Sequence, residues 1–216
     1  MKAFFVPLII ALSLLGCTNA PVAKNQNHSV EPKYAQAYRY AYMALQEGNW
    51  PAYQKMMRKV IDLSTSEGAS PERRAVFWYE YGRASGVVCA WNDAEFALTV
   101  ARNLDAKTGG PVHQSLSELG RMNVARKEYI KAVDNFTLAM EAWADYHKKN
   151  SEHEQTSDLS RAAVLEDFAY ALEQLGRQPS EVEKLRKEVA VIRNENAEKG
   201  DVHADQTPYA TQCSVL

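Results

Sequence analysis

Two stretches of this chain carry matching residues at the same distances from a glycine. Tyr81-Gly82 is followed by Trp91, Ala94, Leu98 and Ala101, and Leu119-Gly120 by Tyr129, Ala132, Phe136 and Ala139. The offsets from the glycine are 9, 12, 16 and 19 in both cases. Steps of three and four put these side chains on one stripe of a helix, and the small residues among them let a second helix approach closely. Each stretch therefore predicts a helical hairpin. Glu, Lys, Arg, Ala, Leu and Gln fill the segments between, while most of the ten Gly and eight Pro fall where helices would stop. Hydrophobic residues are 46% of the 216, enough for one compact core, and the charged 24% fits a globular chain.

At these residues the chain resembles the tetratricopeptide (TPR) family, whose repeats are helical hairpins of about 34 residues. The Leu-Gly pair, the large aromatic at the turn, and then Ala, Phe and Ala are that family's signature positions. Weaker copies flank the two clear ones. Tyr40-Ala41 is followed by Trp50, Tyr53, Met57 and Val60 at the same four offsets, with Tyr53 where a small residue is expected, so packing there should be looser. Phe168-Ala169 is expected to open a helix ending near Gly176, and Val182, Leu185, Val189 and Ile192 form a last stripe after the long turn Arg177-Gln178-Pro179-Ser180. Polar connectors are expected at Ser64 to Pro71, Lys107 to Pro111 and Lys148 to Asp158. The resemblance implies an all-α fold: a right-handed superhelix of about four TPR-like hairpins over residues 34–199, with a signal peptide and flexible tails, the last being 200–216.

The N-terminus reads as an address. Lys2 precedes an almost unbroken apolar run, Ala3 to Leu15, too short to span a bilayer, which ends in Leu14-Leu15-Gly16-Cys17. This resembles the lipobox of bacterial lipoproteins. The resemblance implies that residues 1–16 are a signal peptide and that Cys17 is acylated and becomes the mature N-terminus. Residues 17–33 then form a polar tether. Thr18 stands where an Asp often retains such proteins in the inner membrane, which implies sorting to the outer membrane, facing the periplasm.

In the TPR family the first helix of each hairpin lines a concave groove. Carried over by alignment, the groove positions are Tyr38, Tyr42, Tyr79, Arg83, Gln114, Arg121, Tyr170 and Gln174. Tyrosine offers a rigid contact with a polar tip, and Arg83 and Arg121 suit a bidentate grip on a partner's carboxylate. Tyr34, Tyr38, Tyr40 and Tyr42 crowd one helix, which cannot bury all of them against one neighbour, so some should stay exposed.

Signatures of catalysis are missing: there is no nucleophile elbow, phosphate loop, dinucleotide fingerprint or zinc helix. The five histidines lack paired ligand spacing, and His147 and His153, flanking a polar connector, should be solvated. No metal or cofactor is expected, and the acidic side chains should mainly face solvent. A net charge of −2 and pI ≈ 6.2 provide no field for nucleic acid. Once Cys17 is acylated, Cys89 and Cys213 remain, and an even pair in an oxidising compartment predicts a disulfide pinning the tail along the solenoid. The expectation is a non-enzymatic scaffold, membrane-bound through its lipid alone. It would bind an envelope protein or peptide in pilus, secretin, barrel-insertion or cell-wall machinery. The alternatives are a small-ligand or glycan binder and, less favoured, a cell-wall enzyme.

Overall fold

A computed structural model describes residues 31–149, 154–197 and 206–213; the expected signal peptide, Cys17 and most of the tether lie outside them. Among the described residues every regular element is a helix: α1 Lys33–Gln46, α2 Trp50–Ser66, α3 Pro71–Val87, α4 Trp91–Thr108, α5 Val112–Ala125, α6 Tyr129–Lys149, α7 Glu154–Gln174 and α8 Pro179–Glu195. Consecutive helices pair as four hairpins, and each hairpin leans on the next through α2 and α3, α4 and α5, and α6 and α7. The first helices α3, α5 and α7 also touch in series, which gives the stack an inner face. None of the described helices is long and apolar enough to cross a membrane.

The repeat is deeper than its apolar stripe. Seven residues after Ala41, Gly82, Gly120 and Ala169 stand Gly48, Cys89, Lys127 and Gly176, all left-handed, with φ of 67°, 65°, 61° and 61°. One residue later the backbone N–H donates back to the carbonyl at offset three: Asn49 to Ala44, Ala90 to Ser85, Glu128 to Asn123 and Arg177 to Leu172, at 2.8–3.2 Å. This is a Schellman closure, which satisfies the carbonyls a helix end would otherwise leave open. Asn49 and Ser70 cap α2 and α3 by accepting from Ala52 N and Arg73 N, with a proline in the first turn of each helix.

The repeat glycine is a notch for the residue at offset 16. A Cβ on Gly82 would meet Leu98 Cγ at 2.7 Å, and one on Gly120 would meet Phe136 Cε1 at 2.5 Å. Leu98 and Phe136 are fully buried. In the first hairpin Met57 takes that place, and Tyr53, also fully buried, fills the position that the second and third hairpins give to Ala94 and Ala132. Unlike the later first helices, α1 has no close backbone contact with its counterpart α3 and reaches it through Tyr34 and Tyr38, whose rings lie 5.8 and 5.4 Å from Phe77.

Two expected boundaries are corrected. Much of the connector expected at Lys148 to Asp158 is helix, because its Lys, Glu and Gln residues sustain α6 to Lys149 and start α7 at Glu154. Phe168-Ala169 accordingly lies deep inside α7 instead of opening it.

Candidate functional site: an inner face closed by the C-terminal tail

Two helices place a Glu and an Arg on the inner face at identical offsets from the repeat glycine. Glu80 and Arg83 flank Gly82, Glu118 and Arg121 flank Gly120, and Asp167 stands at the acidic position before Ala169. Three residues apart on a helix, each pair shares a face. Arg83 Nη1 donates to both Glu80 oxygens at 3.2 and 3.1 Å. Arg121 donates through Nη1 to Glu118 (2.8 Å) and through Nε to Asp167 on α7 (2.7 Å). Tyr53 Oη donates to Glu80 at 2.9 Å. The result is a ladder of alternating sign, Glu80, Arg83, Glu118, Arg121 and Asp167, running across three hairpins.

Residues 206–213 lie along this ladder. Arg83 Nε donates to Thr207 Oγ1 at 2.7 Å, and Tyr209 Oη donates to Glu118 Oε2 at 2.8 Å. The Tyr209 ring sits on Gly86, where a Cβ would come within 2.2 Å of its Cε1. Ala210 N and Gln212 N donate to Gly86 O and Val87 O, the Gln212 side chain donates to Gly48 O at 2.9 Å, and Cys213 is disulfide-bonded to Cys89 with the Cα atoms 5.1 Å apart. Tyr209 also packs against the apolar group of Ala94, Leu98, Leu119 and Met122, beside Tyr79 and Trp91.

These contacts set the ionisation of the ladder. Burial opposes the charge on Glu118, but the Arg121 and Arg83 guanidiniums and the Thr207 and Tyr209 hydroxyls outweigh it and hold its carboxyl below the usual range. At Asp167 burial prevails over Arg121, and the carboxyl is raised. Burial raises the Tyr209 phenol far above its ordinary range, and Glu118 adds to the effect, so it stays a hydrogen-bond donor.

Tyr79, Arg83 and Arg121 therefore come together around Glu118, and the carboxylates gripped by the two arginines belong to this chain. The expectation that acidic side chains mainly face solvent fails at Glu80, Glu118 and Asp167, because a buried guanidinium needs a counter-charge. Tyr38 is half-buried near Glu80. Tyr42 and Tyr170 are exposed, the latter 6.3 Å ring to ring from Tyr129. Gln114, in the first turn of α5, and Gln174, the last residue of α7, are exposed at helix ends. The sequence reading missed Glu80, Glu118, Asp167, Thr207 and Tyr209. The recurrence of Glu-x-Gly-Arg at 80–83 and 118–121 was the available signal for the first two.

No family model matches the chain, and no curated protein is significantly similar to it. Solved structures are similar. A crystal structure of the nearly identical TPR-like repeats of a kinesin light chain-like protein from Podosopora anserina superposes with a TM-score of 0.55, at 20% identity over 79% of this chain and 80% of that one. A single-residue variant of it gives 0.56, at 19% identity over 80% and 81%. The fold is TPR-like. TPR-like stacks generally serve as protein-interaction scaffolds, and at this identity the likeness speaks for the fold alone.

Away from the inner face two further groups carry shifted acidities. His113 packs 4.4 Å from the Trp143 ring beside Tyr146 and His147, so His147 is half-buried in an aromatic group instead of solvated. Burial, with His147 adding to it, lowers the His113 pKa to about 4. Burial alone raises Asp105 to about 6. The signs are opposite. Neutral His113 favours the folded state at pH 7, and that advantage is lost as the pH falls through the unfolded value towards 4. Asp105 contributes most below pH 4, and its contribution is lost as the pH rises through 6. Asp105→Asn is therefore expected to be more stable than the parent at pH 7 by roughly 2–3 kcal/mol, with the gain gone near pH 4. Urea unfolding at both pH values checks this; equal midpoints at pH 7 would refute it. Among the described residues no group of three or more His, Cys, Asp or Glu is arranged to hold a metal.

Proposed function

We propose that this chain is an exported lipoprotein, anchored through Cys17 to the outer membrane and facing the periplasm, that scaffolds an envelope assembly by binding another protein. The observation that carries the protein-binding part is the exposed face of α1 in a TPR-like stack. Tyr40 and Met43 are each 57% exposed and Tyr42 49%, with no role in the core. Rigid aromatic and thioether side chains held out by a packed helix are typical of contact surfaces. The anchor rests on the Leu-Leu-Gly-Cys17 segment and its apolar leader. Because Tyr79 and Arg83 lie under the tail, the contact surface is assigned to Tyr42 and its neighbours.

A photoreactive residue at position 42 is expected to capture one dominant envelope protein in cells, while a probe at Lys184 on α8 does not; equal capture from both sites would remove this surface. Cys17→Ser should abolish incorporation of a labelled fatty acid and release the protein from membranes. Labelling that survives the change would refute the anchor.

A second reading has its own support. Between α1 and α3 lies a cavity of about 570 Å³, lined by Tyr34, Tyr38, Phe77, Arg39 and Arg73 among others. That is within the size range of small-molecule sites. Stabilisation by a soluble saccharide or other small ligand, lost in Phe77→Ala, would favour this reading.

A further inference from the structure

The geometry points to the Gly86 notch as a recognition site for an extended peptide bearing a hydroxyl residue two positions before a tyrosine. Thr207 and Tyr209 of the chain's own tail fill it, and the Cys89–Cys213 disulfide latches them in place. This goes beyond the Tyr42 surface by assigning a second, peptide-binding site on the inner face.

Every contact the tail makes is one that a separate chain could make. Arg83 Nε offers a donor to the first hydroxyl, Glu118 accepts from the phenol, and the Gly86 and Val87 carbonyls accept from the two backbone N–H groups that follow. The ring lies where only glycine leaves room. The three atoms nearest to a Cβ on Gly86 all belong to Tyr209, so neither neighbouring helix needs a glycine there. Gly86 is the next-to-last residue of α3 and is not left-handed, so the helix end does not call for a glycine there either. Gly86 therefore serves the tail.

The latch is equally specific. Cys89 holds the left-handed turn position that the first and fourth hairpins give to Gly48 and Gly176. The third hairpin has Lys127 there, so the turn accepts a side chain, and at Cys89 that side chain reaches Cys213. Cys213 is exposed and open to attack. A dithiol reductant would open the latch. One of its thiolates attacks the Cys213 sulfur, the bond to Cys89 breaks, and Cys89 leaves as a thiolate that takes up a proton. The second thiol then displaces Cys213, and the reductant departs as a disulfide. The released tail remains tethered, at an effective concentration on the order of millimolar, so a partner must present the same chemistry to displace it.

The test uses the purified chain, oxidised and reduced, with a fluorescent peptide of residues 206–212 (Gln-Thr-Pro-Tyr-Ala-Thr-Gln) as probe. Reduction is expected to speed exchange of the Ala210 and Gln212 amide hydrogens by at least about tenfold, with the α3 and α5 amides unchanged. The peptide is expected to bind reduced Tyr209→Ala protein, whose own tail no longer competes for the notch, and not the oxidised parent. Phenylalanine in place of its tyrosine should weaken binding about tenfold through loss of the bond to Glu118, and alanine should abolish it. Gly86→Ala should expose the tail amides even when oxidised and, added to Tyr209→Ala, abolish peptide binding when reduced. If the Gly86 variant fails to fold, the three peptides on reduced Tyr209→Ala protein still decide. Tail amides of the parent equally protected in both redox states, or a peptide that ignores the reduced Tyr209→Ala protein, would make the tail a fixed part of the fold and end the proposal. Capture at position 42 is independent of both outcomes, so failure here leaves the scaffold reading standing.

Discussion

Arg121→Gln is expected to lower the folding stability by about 3–5 kcal/mol, because it removes the cation shared by two carboxylates and leaves both in place. Arg121 is nearly buried, and its Nη1 and Nε reach Glu118 and Asp167 on different helices. Glu118 keeps Arg83 and the Tyr209 hydroxyl, so the larger cost falls on Asp167, whose carboxyl burial already raises. Lysine is not a conservative substitute, since one ammonium cannot reproduce a fork that donates in two directions. The pH dependence has a definite sign. Without Arg121 both carboxylates have higher folded pKa values than in the parent, so the variant's deficit should shrink as the pH falls from 7 towards 4, chiefly through protonation of Asp167. Adding Glu118→Gln and Asp167→Asn should restore most of the loss, because the uncompensated charges rather than the missing contact carry it. Denaturant titrations at the two pH values measure this. A loss below about 1 kcal/mol at pH 7 would mean that solvent, not Arg121, balances the ladder.

Phe136→Ala should cost a similar 3–5 kcal/mol, and its coupling to Gly120 is the more telling quantity. Phe136 is fully buried, sits in the Gly120 notch and lies 5.8 Å from the Phe168 ring, within the apolar group that joins α6 to α7 and α8. In a stacked-repeat protein this is a neighbour interface, so the variant is also expected to broaden the unfolding transition as the fourth hairpin uncouples. Gly120→Ala alone should lose about 1–3 kcal/mol, since its Cβ would overlap a ring that packed neighbours hold in place. In the Phe136→Ala background the new methyl enters the vacated space, and the glycine change should become neutral or stabilising. The double-mutant cycle is thus expected to be strongly non-additive. Additive losses would show that the glycine serves the turn rather than the notch.

Much of the architecture was legible in the residues themselves. Offsets of 9, 12, 16 and 19 from a glycine require one stripe on a second helix, and the structure adds that the glycine is a notch for the side chain at offset 16. Helix ends were less legible at Lys148 to Asp158, because a polar run of good helix formers suits a connector and a helix equally well. The even cysteine pair suggested a bridge, and Cys89 and Cys213 are joined. The groove residues were only half legible: alignment located Arg83 and Arg121 on the inner face but not the partners of their charges.

What the sequence determined alone is therefore what depends on short spacing. Helical period, turn position and the apolar stripe are set by residues within one hairpin of each other, and local geometry leaves them little choice. Only the tertiary structure decided that Arg121 meets Asp167, that Glu118 meets Tyr209, and that Arg83 meets Thr207 as the tail closes over Gly86. Those contacts join residues 46, 91 and 124 positions apart. No periodicity links positions so distant. Their pairing follows from the stacking of the hairpins, which brings a few buried charges together where each must find its counter-charge or hydroxyl within the chain.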